Sequence, residues 1–220
     1  MKDLESVAVP PRSGKPARQL IVFLHGIGVD GDDLIGLADP FAESLPDALF
    51  LAPHAPFACD MAPMGRQWFS LRDIGPQSLA DGLATVRPIF DAWLDKMMQA
   101  HNLTEEKVAL VGFSQGTMLA LYSALRRPRP VAGVLGFSGL LAAPEKLPDE
   151  LVSKPPVLLI HGQEDPVVNF GFLDLARRAL ELLDVPVRAM ARPGLGHSID
   201  EVGLFEGISF VQSALNPTLN

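Results

Sequence analysis

The chain has 220 residues, 48% of them hydrophobic, and carries 26 Asp and Glu against 18 Lys and Arg for a formal charge of −8. That length buries one sizeable core and is expected to fold as a single domain, 1–220, while no apolar run approaches the ~20 residues of a membrane span, so no stable membrane insertion is expected. The acidic balance supplies no basic stripe for phosphates, which excludes nucleic acid as a natural partner. A single cysteine, Cys59, excludes an internal disulfide and a cysteine-rich metal site, and with Asp3 and Glu5 interrupting the N-terminal stretch it points to the cytoplasm.

In chain order, residues 1–19 are expected to form an N-terminal edge hairpin, with a short strand near Val7 and Val9 and a turn at Ser13 and Gly14. Short aliphatic runs at 20–26, 48–53, 107–114, 131–139, 156–162 and 186–191 read as strands, and their nearly unbroken apolar character predicts burial on both faces of a parallel sheet. Helical spacing fills 78–100, 115–126, 169–183 and 199–215. The longest places Leu79, Leu83, Val86, Phe90, Trp93, Leu94 and Met97 on one stripe, with Pro88 a candidate kink. The alternation predicts an α/β fold, a mostly parallel central sheet flanked by helices with no separate cap domain. Residues 54–76 show no period, and a loop of that length in a compact domain is more often functional than accidental.

The pentapeptide Gly112-Phe113-Ser114-Gln115-Gly116 stands between a strand and a helix. A serine hydroxyl becomes a useful nucleophile when its oxygen stands clear on a tight turn, which small flanking residues permit, and when a base removes its proton. An acid and a histidine come later in the order this chemistry requires in such sheets. Asp165 lies just past a strand end, 51 residues after Ser114, and His197 lies in a Gly-rich loop 32 residues further on. Asp165 is the favoured acid, with Glu164 the alternative, and a helix cap near Asn169 is its structural explanation. The glycine-rich turn "LHGIGVDGDDL" after the first parallel strand is where a backbone N–H can be raised toward a substrate carbonyl, and Ile27 is the candidate there, with Gln115 as its partner. His25, His54, His101 and His161 read as structural and show no metal-ligand spacing. Ser138, also between glycines after a strand, lacks both the Gly-x-Ser-x-Gly spacing and a long helix after it, and reads as structural too.

Together "LHGIGVDGDDL", "APHAP", "RQWF", "VALVGFSQGTMLAL", "IHGQEDPVV" and "GLGHS" resemble the carboxylesterase and acyl-protein thioesterase family of α/β-hydrolases, also labelled phospholipase/carboxylesterase. The resemblance implies a catalytic triad of Ser114, Asp165 and His197, an oxyanion hole from the N–H groups of Ile27 and Gln115, and an acyl pocket bordered by Trp68 and Phe69, with Met64 in the same apolar loop. The alternative for these loop residues is that they cover the core. The expected activity is a serine carboxylesterase acting on short- to medium-chain esters, with no metal or organic cofactor and a small-molecule ester as partner. An acyl-protein thioesterase or lysophospholipase working on longer chains is the alternative within enzymes, and a non-catalytic hydrolase-fold ligand receptor is the alternative outside them. The apolar content is compatible with a homodimer.

Overall fold

The structure, a computed structural model, describes residues 4–217, so the expectations for 1–3 and 218–220 lie outside the described residues. Its first half contains β1 (Ser6–Val9), β2 (Gln19–Leu24), α1 (Gly31–Leu34), α2 (Ala38–Ser44), β3 (Ala48–Pro53), β4 (Phe57–Ala58), β5 (Arg66–Gln67) and α3 (Pro76–His101). The second half contains β6 (Val108–Phe113), α4 (Gln115–Ala124), β7 (Gly133–Phe137), α5 (Leu147–Glu150), β8 (Val157–Gly162), α6 (Gly171–Glu181), β9 (Val187–Arg192) and α7 (Glu201–Leu215).

Seven strands form one sheet in the order β1-β3-β2-β6-β7-β8-β9, parallel throughout except for β1. Period-2 alternation sends successive side chains to opposite faces. Leu20, Val22 and Leu24 of β2 join a core with residues of α3, α4 and α6, while Ile21 and Phe23 join one with residues of α2 and α7. The same split divides Val108 and Leu110 from Ala109 and Val111 in β6, and Val157 and Leu159 from Leu158 and Ile160 in β8. Both faces being covered is why the central strands read as unbroken apolar runs. Because the parallel strands share a direction, the segments after β2, β6, β7, β8 and β9 meet along one edge.

Two expectations are corrected. Residues 4–19 contain the expected strand and the turn at Ser13 and Gly14, but not a hairpin into β2: β1 pairs antiparallel with β3, Ser6 opposite Pro53 through Val9 opposite Phe50. A hairpin is a local feature, whereas this pairing joins segments some forty residues apart and leaves no period in the intervening chain. The strand near 186–191 is not fully buried: β9 is the sheet's edge and its residues are half-buried or exposed, with Val187 and Ala191 packed against one core and Met190 against the other. Helix α3 continues through Pro88, where the ring forfeits one backbone bond, and the buried stripe from Leu79 to Met98 packs it against the sheet. Asn102, in the left-handed region at φ 53°, ends it.

Candidate active site

Strand β6 carries Ser114 to the shared edge and α4 begins at the next residue. Ser114 sits at φ 53°, ψ −116°, a conformation that costs a residue with a side chain about 1–3 kcal/mol. It is held there as its N–H donates to Phe137 O of β7 at 2.9 Å. A Cβ on Gly112 would lie 2.5 Å from Thr117 N, and one on Gly116 would lie 1.9 Å from Leu24 O. The turn therefore closes against its own helix and against β2 only because both positions are glycine.

The loops after β8 and β9 bring Asp165 and His197 together. Gly162, at the end of β8, packs where a Cβ would lie 2.2 Å from Leu195 O, and the N–H groups of Gln163 and Glu164 donate to Arg192 O and Leu195 O at 3.0 and 2.9 Å. His197 Nδ1 hydrogen-bonds Asp165 Oδ2 at 2.7 Å, and the His197 ring lies 4.9 Å from that of Phe113, the residue before Ser114. The carboxylate bonded to His197 is thus that of Asp165, not Glu164. Its other oxygen accepts the N–H groups of Val167 and Val168 at 2.8 and 2.9 Å, so it closes a turn but does not cap α6, whose Gly171 N–H goes to Asn169. Burial would raise the Asp165 pKa, but the hydrogen bonds from His197, Val168 and Val167 outweigh it and hold the carboxyl below its ordinary 3.8. His161, buried, adds a contact that its position in the sequence does not suggest: Nε2 lies 2.9 Å from Val168 O and 3.2 Å from Asp165 Oδ2.

On the other side of Ser114 lies the turn after β2. A Cβ on Gly26 would be 3.5 Å from Ser114 Cβ, so the peptide joining Gly26 to Ile27 passes beside the serine. Gly28 N–H donates to Arg66 O and Arg66 N–H to Val29 O, each at 2.9 Å. Among the described residues, no acceptor takes the Ile27 N–H. Gln115 N–H, at the first position of α4, has no intrahelical acceptor either.

The expected pocket residues are placed differently. Trp68 is 0% and Phe69 3% exposed; Trp68 packs edge-on against Phe90, and Phe69 lies over Gly82. They are part of the core, the alternative given for these loop residues. Met64 is 80% exposed and points outward, beside Met61 at 64%. Two surface cavities of about 380 and 390 Å³ are lined by none of the three. Periodicity could not reveal this burial, because the loop has none. What Trp68 and Phe69 touch instead is Gln115: its buried side-chain Oε1 accepts Trp68 N–H at 2.8 Å and its Nε2 donates to Phe69 O at 2.7 Å.

The structure also groups Asp30, Asp32 and His54, whose ligand atoms lie within 4.8 Å of one another, although their spacing in sequence suggests no metal site. Asp30 accepts Asp32 N–H at the start of α1, and His54 Nδ1 accepts Gly31 N–H at 3.2 Å, so these groups already serve the fold. Among the described residues, no helix is long and apolar enough to cross a membrane.

The family described as Phospholipase/Carboxylesterase matches residues 6–215. Esterase YpfH of Escherichia coli K12 is 31% identical to this chain, covering 84% of it and 78% of that protein. Acyl-protein thioesterase 1 of Neurospora crassa is 28% identical, covering 81% of this chain and 79% of that one. Among solved structures, that of esterase PE8 superposes with a TM-score of 0.92 at 40% identity, covering 97% of this chain and 100% of that chain, and Arabidopsis thaliana SOBER1 with 0.78 at 29% identity, covering 91% and 100%.

Proposed function

The chain belongs to the phospholipase/carboxylesterase family of α/β-hydrolases, and on that premise we propose that it is a serine carboxylesterase for short- to medium-chain esters, with Ser114, His197 and Asp165 as its triad. The observation that carries this reading is the 2.7 Å bond between His197 and Asp165 on the same sheet edge as the strained Ser114 turn. In the proposed reaction His197 Nε2 takes the Ser114 proton as Oγ attacks the ester carbonyl. Asp165 keeps the His197 proton on Nδ1 and stabilises the imidazolium that forms. The N–H groups of Ile27 and Gln115 receive the tetrahedral oxyanion, aided by the positive end of the α4 dipole. His197 then protonates the departing alcohol, and a water activated by the same imidazole releases the acyl group. These steps call on no metal or organic cofactor.

Hydrolysis of p-nitrophenyl esters of increasing acyl length, with Ser114→Ala beside the parent protein, tests this. Activity lost in a folded Ser114→Ala protein supports the serine mechanism, and the length profile sizes the pocket. Activity retained there overturns it, and no activity in either protein moves weight to a ligand receptor. Similarity to acyl-protein thioesterase 1 favours a second reading, hydrolysis of long-chain acyl thioesters. A palmitoyl thioester compared with its oxygen ester separates the two. The lone Cys59 supports placement in the cytoplasm, and sedimentation would test for a homodimer.

A further inference from the structure

We propose that His25 is a positioning residue that aims the Ile27 N–H at the Ser114 site by holding the carbonyl end of the same peptide group. The inference rests on the oxyanion role proposed above for Ile27.

In a trans peptide the C=O and N–H point in opposite directions, so gripping one aims the other. The carbonyl of the peptide that carries the Ile27 N–H is Gly26 O, and it lies 2.6 Å from His25 Nδ1. The second ring nitrogen, Nε2, accepts the Ala55 N–H at 3.1 Å. These contacts admit one tautomer. Ala55 N–H can only donate, so Nε2 is bare; Gly26 O can only accept, so Nδ1 carries the proton. A cationic ring would set a second N–H against that of Ala55. The ring is fully buried, and burial holds its pKa below the ordinary 6.5, which keeps it in the neutral form this geometry needs.

The grip extends to the second proposed donor. Trp68 Nε1–H donates to His25 O at 3.0 Å, and the two rings lie 5.3 Å apart. The backbone of Trp68 and Phe69 is clamped in turn by the side chain of Gln115, whose own N–H is the partner of Ile27. His25, Trp68 and Gln115 thus form a continuous brace behind the two N–H groups. With no exposed surface, His25 does not reach a substrate and acts only through the peptide it holds.

The test measures kcat and KM on a p-nitrophenyl ester, and inhibition by a trifluoromethyl ketone that mimics the tetrahedral state, for the parent, His25→Phe and His25→Asn. Phe keeps a ring but offers no donor, whereas the Asn amide can donate from near the Nδ1 position. The expected result for His25→Phe is a kcat lower by ~10²-fold, the scale of a lost oxyanion donor, with KM within about 3-fold and ketone affinity falling alongside kcat. His25→Asn is expected to recover about 10-fold of that loss. If His25→Phe does not fold, His25→Gln carries the same expectation, since its amide reaches past Gly26 O toward the Nε2 position. A folded variant with parental kcat, a loss confined to KM, or an Asn variant no better than Phe overturns the inference. Covalent labelling of the parent by a fluorophosphonate, absent in Ser114→Ala, separates the levels. If Ser114 is labelled and the His25 variants hydrolyse normally, the brace alone fails; if Ser114 is not labelled, the proposed mechanism fails with it.

Discussion

The tripeptide Gly-Phe-Ser occurs at 112–114 and again at 136–138, and the two copies lie side by side in adjacent strands, Gly112 opposite Gly136 and Phe113 opposite Phe137. Their backbones end alike. Ser114 and Ser138 have φ of 53° and 49°, and each donates its N–H to the next strand over, to Phe137 O and Ile160 O, both at 2.9 Å. Beyond that point they diverge. After Ser114 the chain enters α4 at once, and the Phe113 ring of this copy lies beside His197. After Ser138 it runs irregularly to α5, and the Ser138 hydroxyl is buried with no hydrogen-bond partner among the described residues. A strained serine at a strand end is thus not enough to make a candidate nucleophile. The helix that starts directly after Ser114, and the loops from β8 and β9 that converge beside it, make the difference.

The largest expected contrast is kinetic: Ser114→Ala should lower kcat by roughly 10⁴- to 10⁶-fold, whereas Ser138→Ala should stay within about 3-fold of the parent in the same ester assay. Equal losses would collapse the distinction between the two turns. Asp165→Asn should cost roughly 10³- to 10⁴-fold in kcat while leaving the far-ultraviolet circular dichroism unchanged, because the amide no longer fixes the His197 proton on Nδ1.

Next comes the packing of the paired glycines. A Cβ on Gly112 meets backbone, Thr117 N at 2.5 Å, but one on Gly136 meets the tips of side chains, Thr117 Cγ2 at 2.5 Å and Leu159 Cδ2 at 3.0 Å. Gly112→Ala should therefore cost about 3 kcal/mol or more in urea unfolding and Gly136→Ala about 1 kcal/mol; the reverse order would show that the Ser114 turn yields more readily than its neighbour.

Acid should also separate the surroundings. The pKa of buried His25 is lowered mainly by burial, against Gly26 O, Asp30 and Asp33, which raise it. Its contribution to stability is present above 6.5 and is lost as pH falls from there toward its depressed value, because only the unfolded chain takes up the proton. The Asp165 contribution persists to lower pH and is lost as pH falls from 3.8 through its own depressed value. Urea midpoints should thus decline in two stages on acidification, and His25→Asn should flatten the first. The smallest effect belongs to Ser138→Ala, which removes an unpaired buried hydroxyl and should raise Tm by about 2–4 °C, as for a gain of about 1 kcal/mol.

Much of this is legible in the chain. Residues such as Leu20 to Leu24 and Val157 to Ile160 read as buried strands because both faces of each are covered. Chain order and strand ends together point to the Asp165–His197 pair that the fold brings into contact. Features that depend on distant partners are not legible. Nothing local in Ser6–Val9 names β3 as its neighbour, and nothing in 54–76 distinguishes a buried Trp68 from an exposed Met64. By sequence His25 is a strand-closing residue; only the fold sets Ala55 and Gly26 on its two nitrogens. Its one sequence signal is adjacency to the proposed oxyanion turn.

The Gln115 clamp divides the irregular loop into a part that redesign can vary and a part it must leave alone. Residues 68 and 69 are tied through Gln115 to the start of α4, so enlarging or shrinking either side chain would disturb the helix end as well as the loop. Residues 61–64, with Met61 and Met64 facing solvent, make none of the hydrogen bonds of that clamp. A mutant library confined to those four positions can vary the loop surface while the helix after Ser114 keeps its anchorage.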